Sequence, residues 1–379
     1  MAMSRRALTY LLFMMTIALV VSFCATVSVT LAASPSPALL KAKKEAEAKG
    51  YIFETGHDEI VAKAKKEGRL RIASTLDPDV NKVMGEAFKK KYPFINLRLQ
   101  ELGSVEENQR FLLEIKAGSV KDWDVNRVYT DFYEEYLPYE KKFDFLGMAE
   151  QKVLHMPLSL IDPRTRNVVT VSSNMTVIAY NKKLLPADKV PDKWEDFLKP
   201  EFKGRKFVAD IRPLPFAMLV PAWGIEKAAD FARKAAAQEP IYGRGHTRII
   251  ASVVSGEYAL FLGPNLGAVK RAQDKDRTGS LGMKILEPAP TRLHEGNAVL
   301  QTADYPYAGL LWLEFMASPE GQKIMDDHWP LGASVFSPGS AQEQLTKGKK
   351  LSVIDWNHYG KLDDYLKRMV EAMGFPKAK

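Results

Sequence analysis

The chain has 379 residues, 26 % of them charged, and a formal net charge of +8 at pH 7. That length exceeds one ordinary domain and suits two, and the ordinary charged fraction with 46 % hydrophobic residues excludes global disorder. Lysines and arginines are scattered, often beside glutamate, and form no stripe interleaved with aromatics, which excludes a nucleic-acid partner.

Residues 1–33 read as a cleavable export signal. Arg5 and Arg6 open it, an apolar run follows to Leu31, and Ala32-Ala33 precede Ser34-Pro35-Ser36-Pro37. The run is long enough to span a bilayer, so an uncleaved N-terminal anchor is the alternative. A chain exported before it folds works without cytosolic nucleotides, which sets aside most kinase and dehydrogenase readings. Cys24 is the only cysteine, and it leaves with the leader. Phe23 stands before it where lipid attachment wants a small residue. The mature chain then has no disulfide, no thiol chemistry and no cysteine metal site.

Residues 34–67 are rich in Lys, Glu and Ala and predict a helical arm that stops at Gly68. Arg69–Ser74 alternates like a strand. Val80, Val83, Met84, Ala87 and Phe88 make one face of a helix, which Pro93 terminates. Ile95, Leu97 and Leu99 alternate as a second strand. Ser104 and Glu107 have capping-box spacing ahead of the helical stripe Phe111, Leu112, Ile115. Residues 123–128 predict a third strand. This order argues for parallel strands with crossover helices.

Residues 167–173 and 175–180 are two consecutive β-rich runs, expected to cross between lobes. A second α/β unit follows: a strand at 206–210, helices from Pro215, at 226–238 and at 246–255, and a strand at 258–262. Gly263-Pro264-Asn265 is expected to break that strand and open a helix. A strand at 282–286, helices at 305–317 and 319–328, and a helical tail at 350–373 complete the chain. In Ser318-Pro319-Glu320, the serine suits an N-cap, the proline the first helical position and the glutamate the positive end of the helix. The expected organisation is lobe 1 at 68–172 plus 280–335, lobe 2 at 173–279 and a C-terminal helical tail at 336–379.

Five segments carry a resemblance: AKKEGRLRIAST, AFKKKYPFINLRLQ, VIAYNKKLL near residue 177, KWEDFLKPEFKGR at 193–205 and FMASPEGQKIM at 315–325. In this order, over about residues 58–330, they resemble bacterial extracellular solute-binding proteins of ABC importers, in the iron(III)/thiamine/polyamine-like branch. The resemblance implies a type II periplasmic-binding-protein fold of class α/β: two lobes joined by crossing strands, a ligand in the cleft and closure by hinge motion. It implies a periplasmic monomer that hands a small-molecule solute to an ABC permease. A solute sensor for a membrane signalling partner is the alternative, and an exported hydrolase a further one. Ferric-binding members use adjacent tyrosines after the strand that here ends at Leu262, and a histidine after the first strand. Here Gly263-Pro264-Asn265 and Thr75-Leu76-Asp77 stand in those places. Phenolate oxygens suit a hard ferric ion, so their absence points away from direct iron coordination and leaves iron carried with a chelating anion.

Strand ends in such a sheet face the ligand. They offer Ser74 and Thr75 after the first strand, Arg127 and Thr130 after the third, and Ser173 and Asn174 between the crossing runs. The second unit offers Asp210, Arg212, Arg244, His246 and Asn265. Arginine captures carboxylate or phosphate in bidentate fashion, and His246 opens a helix whose N–H groups hold anions. The expected cargo is therefore a small organic anion: a carboxylate, a phosphonate or a phosphorylated compound. Each residue also fits a plainer role: Ser74 and Thr75 as caps, Arg127 in a surface ion pair, Asp210 pairing Arg212 locally, Arg244 in a loop, His246 on a helix surface. Trp223, Tyr129 and Tyr242 fit either ligand stacking or the core. No G-x-S-x-G, H-E-x-x-H or P-loop pattern is present. The histidines (His57, His155, His246, His294, His328 and His358) have no metal-ligand spacing. No catalytic residue, cofactor or metal ligand is expected.

Overall fold

The structure is a computed structural model that describes residues 35–102 and 104–375. The predicted export signal and Cys24 lie outside the described residues. The chain divides into two compact units, residues 1–37 and 38–379, and the account below concerns the second. Among the described residues no helix is long and apolar enough to cross a membrane.

The predicted arm forms two helices, α1 (Pro37–Ala48) and α2 (His57–Glu67), the second ending at Gly68. Strand β1 (Arg69–Ser74) follows, then α3 (Pro78–Lys91), which has Pro78 at its first position and closes at Tyr92, just ahead of Pro93. Val80, Met84 and Phe88 form its buried face. Phe88 meets Trp312 and Phe315 with ring centroids 5.1 and 5.7 Å apart, and burial of each such ring contributes about 1.5–3 kcal/mol. Strand β2 (Asn96–Glu101) leads to α4 (Val105–Lys116), where Ser104 and Glu107 make the full reciprocal capping box. Strand β3 (Val125–Val128) is buried along its whole length. β1 lies between β2 and β3 and is parallel to both.

The two β-rich runs of the sequence are one strand, β4 (Val169–Asn181). The second unit contributes β5 (Val208–Asp210), α5 (Ile225–Ala236), β6 (Ile241–Gly243), α6 (His246–Ser255), β7 (Leu260–Asn265), α7 (Leu266–Lys275) and β8 (Leu281–Lys284). A long strand unforeseen from the sequence, β9 (Ala289–Val299), then returns. The chain closes with α8 (Pro306–Ala317), α9 (Pro319–His328), β10 (Leu351–Ile354) and α10 (Leu362–Met373).

The strands run β2-β1-β3-β9-β4-β7-β5-β6, with β10 beside β9 and β8 beside β4. β4 pairs antiparallel with β9 from Val169↔Asn297 to Met175↔Thr291, and its second half pairs antiparallel with β7 and β8. Each half of β4 therefore belongs to a different lobe, as crossing strands require.

Four expectations need correction. β7 is not broken by Gly263-Pro264 but runs on to Asn265. Its register against β4 jumps there, Ile178 facing Leu262 and Thr176 facing Asn265. Gly263 takes φ +96° and Pro264 has no N–H to donate, so both suit a bulge. Residues 281–284, assigned to the first lobe from sequence, pair with the second half of β4. The C-terminal segment is not wholly helical: Leu351–Ile354 pairs parallel with β9 from Ala289 to Arg292, and α10 lies against α5. The strand expected at 282–286 stops at Lys284, and β9 follows the turn at Pro288.

Ser318 caps α9: its Oγ accepts from the Gly321 N–H at 3.2 Å and donates to the Phe315 carbonyl at 2.6 Å. Gly321 permits this close approach of α8, because a Cβ there would stand 2.2 Å from the Phe315 oxygen and 2.8 Å from the Met316 oxygen. Ser318→Ala should cost about 1 kcal/mol. Gly321→Ala should cost more, about 3 kcal/mol, because the obstructing atoms are backbone. Urea unfolding midpoints in the order wild type, Ser318→Ala, Gly321→Ala are expected.

Candidate functional site

Where β4 passes between the lobes, a cavity of about 250 Å³ opens. The second lobe supplies Asp210 at the end of β5, Arg212 and Pro215 just after it, His246 at the start of α6, and Gly263 and Asn265 at the end of β7. β4 adds Asn174 and Thr176, and β9 adds Arg292 and His294. A larger, outward space of about 800 Å³ shares Arg212, Leu214 and Arg292 with it and reaches Asp131 and one face of α10. Both spaces are lined by charged and apolar side chains together.

The inner end is held by a buried carboxylate. Asp210 accepts from the Arg212 backbone N–H at 2.8 Å, from Arg212 Nε at 3.2 Å and from Arg212 Nη2 at 2.8 Å. His246 Nε2 lies 2.9 Å from Asp210 Oδ2, the oxygen that also accepts from Arg212 Nη2. The Asn265 backbone N–H donates to His246 Nδ1 at 3.1 Å; a backbone N–H can only donate, so the ring proton sits on Nε2, facing Asp210. Burial alone would raise the Asp210 carboxyl, but the His246 and Arg212 hydrogen bonds outweigh it and hold the group well below the ordinary carboxylate range. Arg212 is nonetheless 59 % exposed in its side chain, so its guanidinium is oriented without being covered.

The bulge in β7 shapes the adjacent wall. A Cβ on Gly263 would stand 2.5 Å from Pro215 Cγ, so only glycine lets β7 approach Pro215. Asn265 Oδ1 caps α7 by accepting from the Ala268 N–H at 3.2 Å, and its Nδ2 donates to Asn174 Oδ1 at 3.0 Å.

On the β9 side, Arg292 reaches Thr130 and Asp131, yet its Nε–H is buried without a hydrogen-bond partner. Behind it lies a second charge cluster. Arg127 Nη2 donates to His294 Nε2 at 2.9 Å and stands 3.3 Å from Glu295 Oε1. The Arg127 Nε–H is also buried without a partner. Burial, and then Arg127, keep His294 below its ordinary value. The Arg127 guanidinium can only donate, so Nε2 accepts and any ring proton sits on Nδ1, which lies 3.0 Å from Glu295 Oε1 without a well-formed hydrogen bond. Burial opposes ionisation of Glu295, but Arg127, His294 and a 2.7 Å bond from Thr75 hold it at about 2.

Of the residues singled out from sequence, Asn174, Asp210, Arg212, His246 and Asn265 converge on the cavity. The others do not line it. Ser74 donates to Asn81 and accepts from the Leu76 N–H; Ser173 is taken up by Gln342 and the Val335 N–H. Thr75 and Arg127 belong to the Glu295 cluster, and Thr130 supports Arg292. Arg244 lies on the exposed face of the β6–α6 connection. Tyr129 stacks under Arg127, Trp223 against Phe231 and Tyr242 against Phe375. Arg292 and His294 were missed because β9 was missed. Their signal was the alternation Arg292, His294 against Leu293, Glu295, two residues apart on one strand face.

Residues 137–361 match the model of a family described as bacterial extracellular solute-binding proteins. Among curated protein sequences none matches the chain. Solved structures share the fold at low identity. The FutA (IdiA) protein of Trichodesmium, in complex with iron and citrate ligands, is 20 % identical with a TM-score of 0.61, over 82 % of this chain and 100 % of that one. Ferric iron-binding protein A of Mannheimia haemolytica, in an open conformation, is 17 % identical with a TM-score of 0.62, over 82 % and 100 %. The Atu4243-GABA receptor is 16 % identical with a TM-score of 0.60, over 82 % and 99 %.

Two buried acids, Asp210 in the cavity and Glu140 beside Asn126, predict opposite pH signatures. Asp210 has a folded pKa below its unfolded value, so its stabilisation is present at neutral pH and fades as pH falls below about 4. Asp210→Asn should lower stability by about 1–3 kcal/mol at pH 7, with the gap closing on acidification. Glu140, beside Asn126 at 3.0 Å, is driven up to about 8 by burial. It must take up a proton to fold, a cost absent near pH 4 and growing toward pH 8. Glu140→Gln should therefore stabilise by up to about 3 kcal/mol at pH 7 and change nothing near pH 4. Urea titrations of both variants at pH 4 and pH 7 check the two signs.

Proposed function

Because this chain belongs to the family of bacterial extracellular solute-binding proteins, we propose that it is the periplasmic substrate-binding component of an ABC importer and that its cargo is a small organic anion. The observation that carries the anion reading is the buried, unpartnered Nε–H of Arg292 at a cavity that also presents Arg212. A buried donor left unmade costs roughly 1–3 kcal/mol, and a carboxylate or phosphonate oxygen would satisfy it once a shift of the Arg292 side chain turns that N–H to the cavity. Asp131, the present partner of Arg292, is 47 % exposed, so an arriving anion competes with a rim group and not with a buried one. The inner volume of about 250 Å³ is below the usual range for drug-sized ligands and favours a compact solute.

Bare ferric ion fits these donors poorly. No tyrosine lines the inner cavity, and its one carboxylate, Asp210, is already engaged by Arg212 and His246. A hard trivalent ion wants several anionic oxygens. Iron bound together with a chelating anion fits better, since the anion brings its own oxygens. The FutA structure with iron and citrate is a fold-level precedent, and the Atu4243-GABA receptor is a precedent for a small carboxylate-bearing solute in the same fold. The hinge we propose falls where β4 passes between the sheets, with Arg292 and His294 closing toward Arg212 and His246.

A melting-shift panel of small carboxylates, phosphonates, phosphate esters and ferric citrate, with ferric ion alone, tests the proposal. A ligand at a hundred times its Kd should add about 2.7 kcal/mol. For the best anion, calorimetry should show Arg292→Gln weakening binding more than tenfold, in line with about 1.5–3 kcal/mol for a charge-assisted bond. Arg244→Gln should leave the affinity within about twofold, since nothing ties that side chain to the cavity. A shift with ferric ion alone and with no anion overturns the anion reading.

A further inference from the structure

Away from the cleft, three residues distant in sequence meet at one point: His57 opens α2, His155 lies in the loop before Leu158, and Glu314 sits in α8. His57 Nε2 is 2.8 Å from Glu314 Oε2, and His155 Nδ1 is 3.3 Å from Glu314 Oε1. One ligand atom from each residue falls within 4.8 Å of the other two. The imidazoles meet edge to face, with centroids 5.2 Å apart. Among the described residues this is the one such grouping of histidine and acidic side chains. The sequence reading, which found no metal-ligand spacing, could not see it, because the three residues share no local pattern.

Glu314 is the unusual member. Every residue of α8 from Ala308 to Ala317 is buried, and Glu314 is the helix's one charged side chain. A carboxylate in such a setting is costly unless paired and hydrogen-bonded. Its polar contacts run toward the two histidines: the His155 backbone N–H at 2.6 Å and the two rings. His155 is 70 % exposed in its side chain, so solvent and ions reach this end of the helix.

We propose that His57, His155 and Glu314 bind a divalent transition-metal ion, with zinc the best match, independently of the solute in the cleft. Two imidazole nitrogens and one carboxylate are a zinc donor set that leaves a fourth position for water. Ligand atoms about 2.1 Å from a tetrahedral zinc stand about 3.4 Å apart. The carboxylate-to-imidazole separations are already at or below that value, and turning the exposed His155 ring closes the third side. A bound ion would join α2 and the 155 loop to α8, adding stability that depends on the metal.

The test uses untagged protein freed of metal by chelation, zinc titration calorimetry and melting temperature. The expected result is one zinc per chain, a zinc-dependent rise in melting temperature, and at least a tenfold loss of zinc affinity in His155→Ala, a site exposed enough that folding should survive. His57→Ala should do the same. Arg292→Gln, in the cleft, should bind zinc like the wild type. Absence of stoichiometric zinc binding, or binding untouched by His155→Ala, overturns the proposal, as does binding abolished by Arg292→Gln but kept by His155→Ala.

Discussion

One antiparallel pairing organises the molecule: β4 against β9, from Val169↔Asn297 to Met175↔Thr291. β9 also pairs with β3 of the first lobe, and the second half of β4 pairs with β7 and β8 of the second. Side chains on a strand alternate faces, so a one-residue slip would turn Arg292 and His294 away from Arg212 and His246. The register of this pair therefore sets the chemistry of the cavity as well as the connection between lobes. Its backbone bonds run through fully buried residues such as Val169, Val171 and Leu293, where slippage would strand polar groups without partners.

Charge in the cleft is arranged in compensated clusters. Asp210 serves Arg212 and His246, Glu295 serves Arg127 and His294, and Asp131 serves Arg292. The first two carboxylates are buried and the third is half exposed. In low dielectric an unpaired charge is costly, so buried pairs are durable while rim pairs exchange with solvent and ligands. Two arginine Nε–H groups, of Arg127 and Arg292, stay buried without a hydrogen-bond partner, and of these two residues Arg292 lines the cavity. Net attraction between a positive surface and its cargo is a lesser factor.

Elements with a local cause were legible in the sequence. The capping box of Ser104 and Glu107, the N-cap of Ser318, the stripe of Val80, Met84 and Phe88, and the span of α6 all rest on contacts within a few residues. Family membership was legible from ordered segments, each weak alone. What failed was set by distant partners. β9 is a strand because β4 and β3 lie beside it; alone, its run of Arg292, His294, Glu295 and Gly296 reads as a polar loop. β10 is short and depends on the same neighbour. Asp210 and Arg212 line the same cavity and also pair with each other, the local pairing being one of the two readings the sequence left open. Ser74 and Ser173 went to internal hydrogen bonds that no spacing could reveal.

The anchoring of Arg212 by Asp210 has a consequence for unloading. Asp210, Arg212, His246 and Asn265 all arise from the second lobe and hold one another, so in the hinge motion proposed above they would move as one body. Their rotamers are settled before any solute arrives, and little binding energy is spent on ordering them. A solute gripped chiefly by this quartet would stay with that lobe as the halves separate, and whatever receives it must prise it from a surface that does not itself relax.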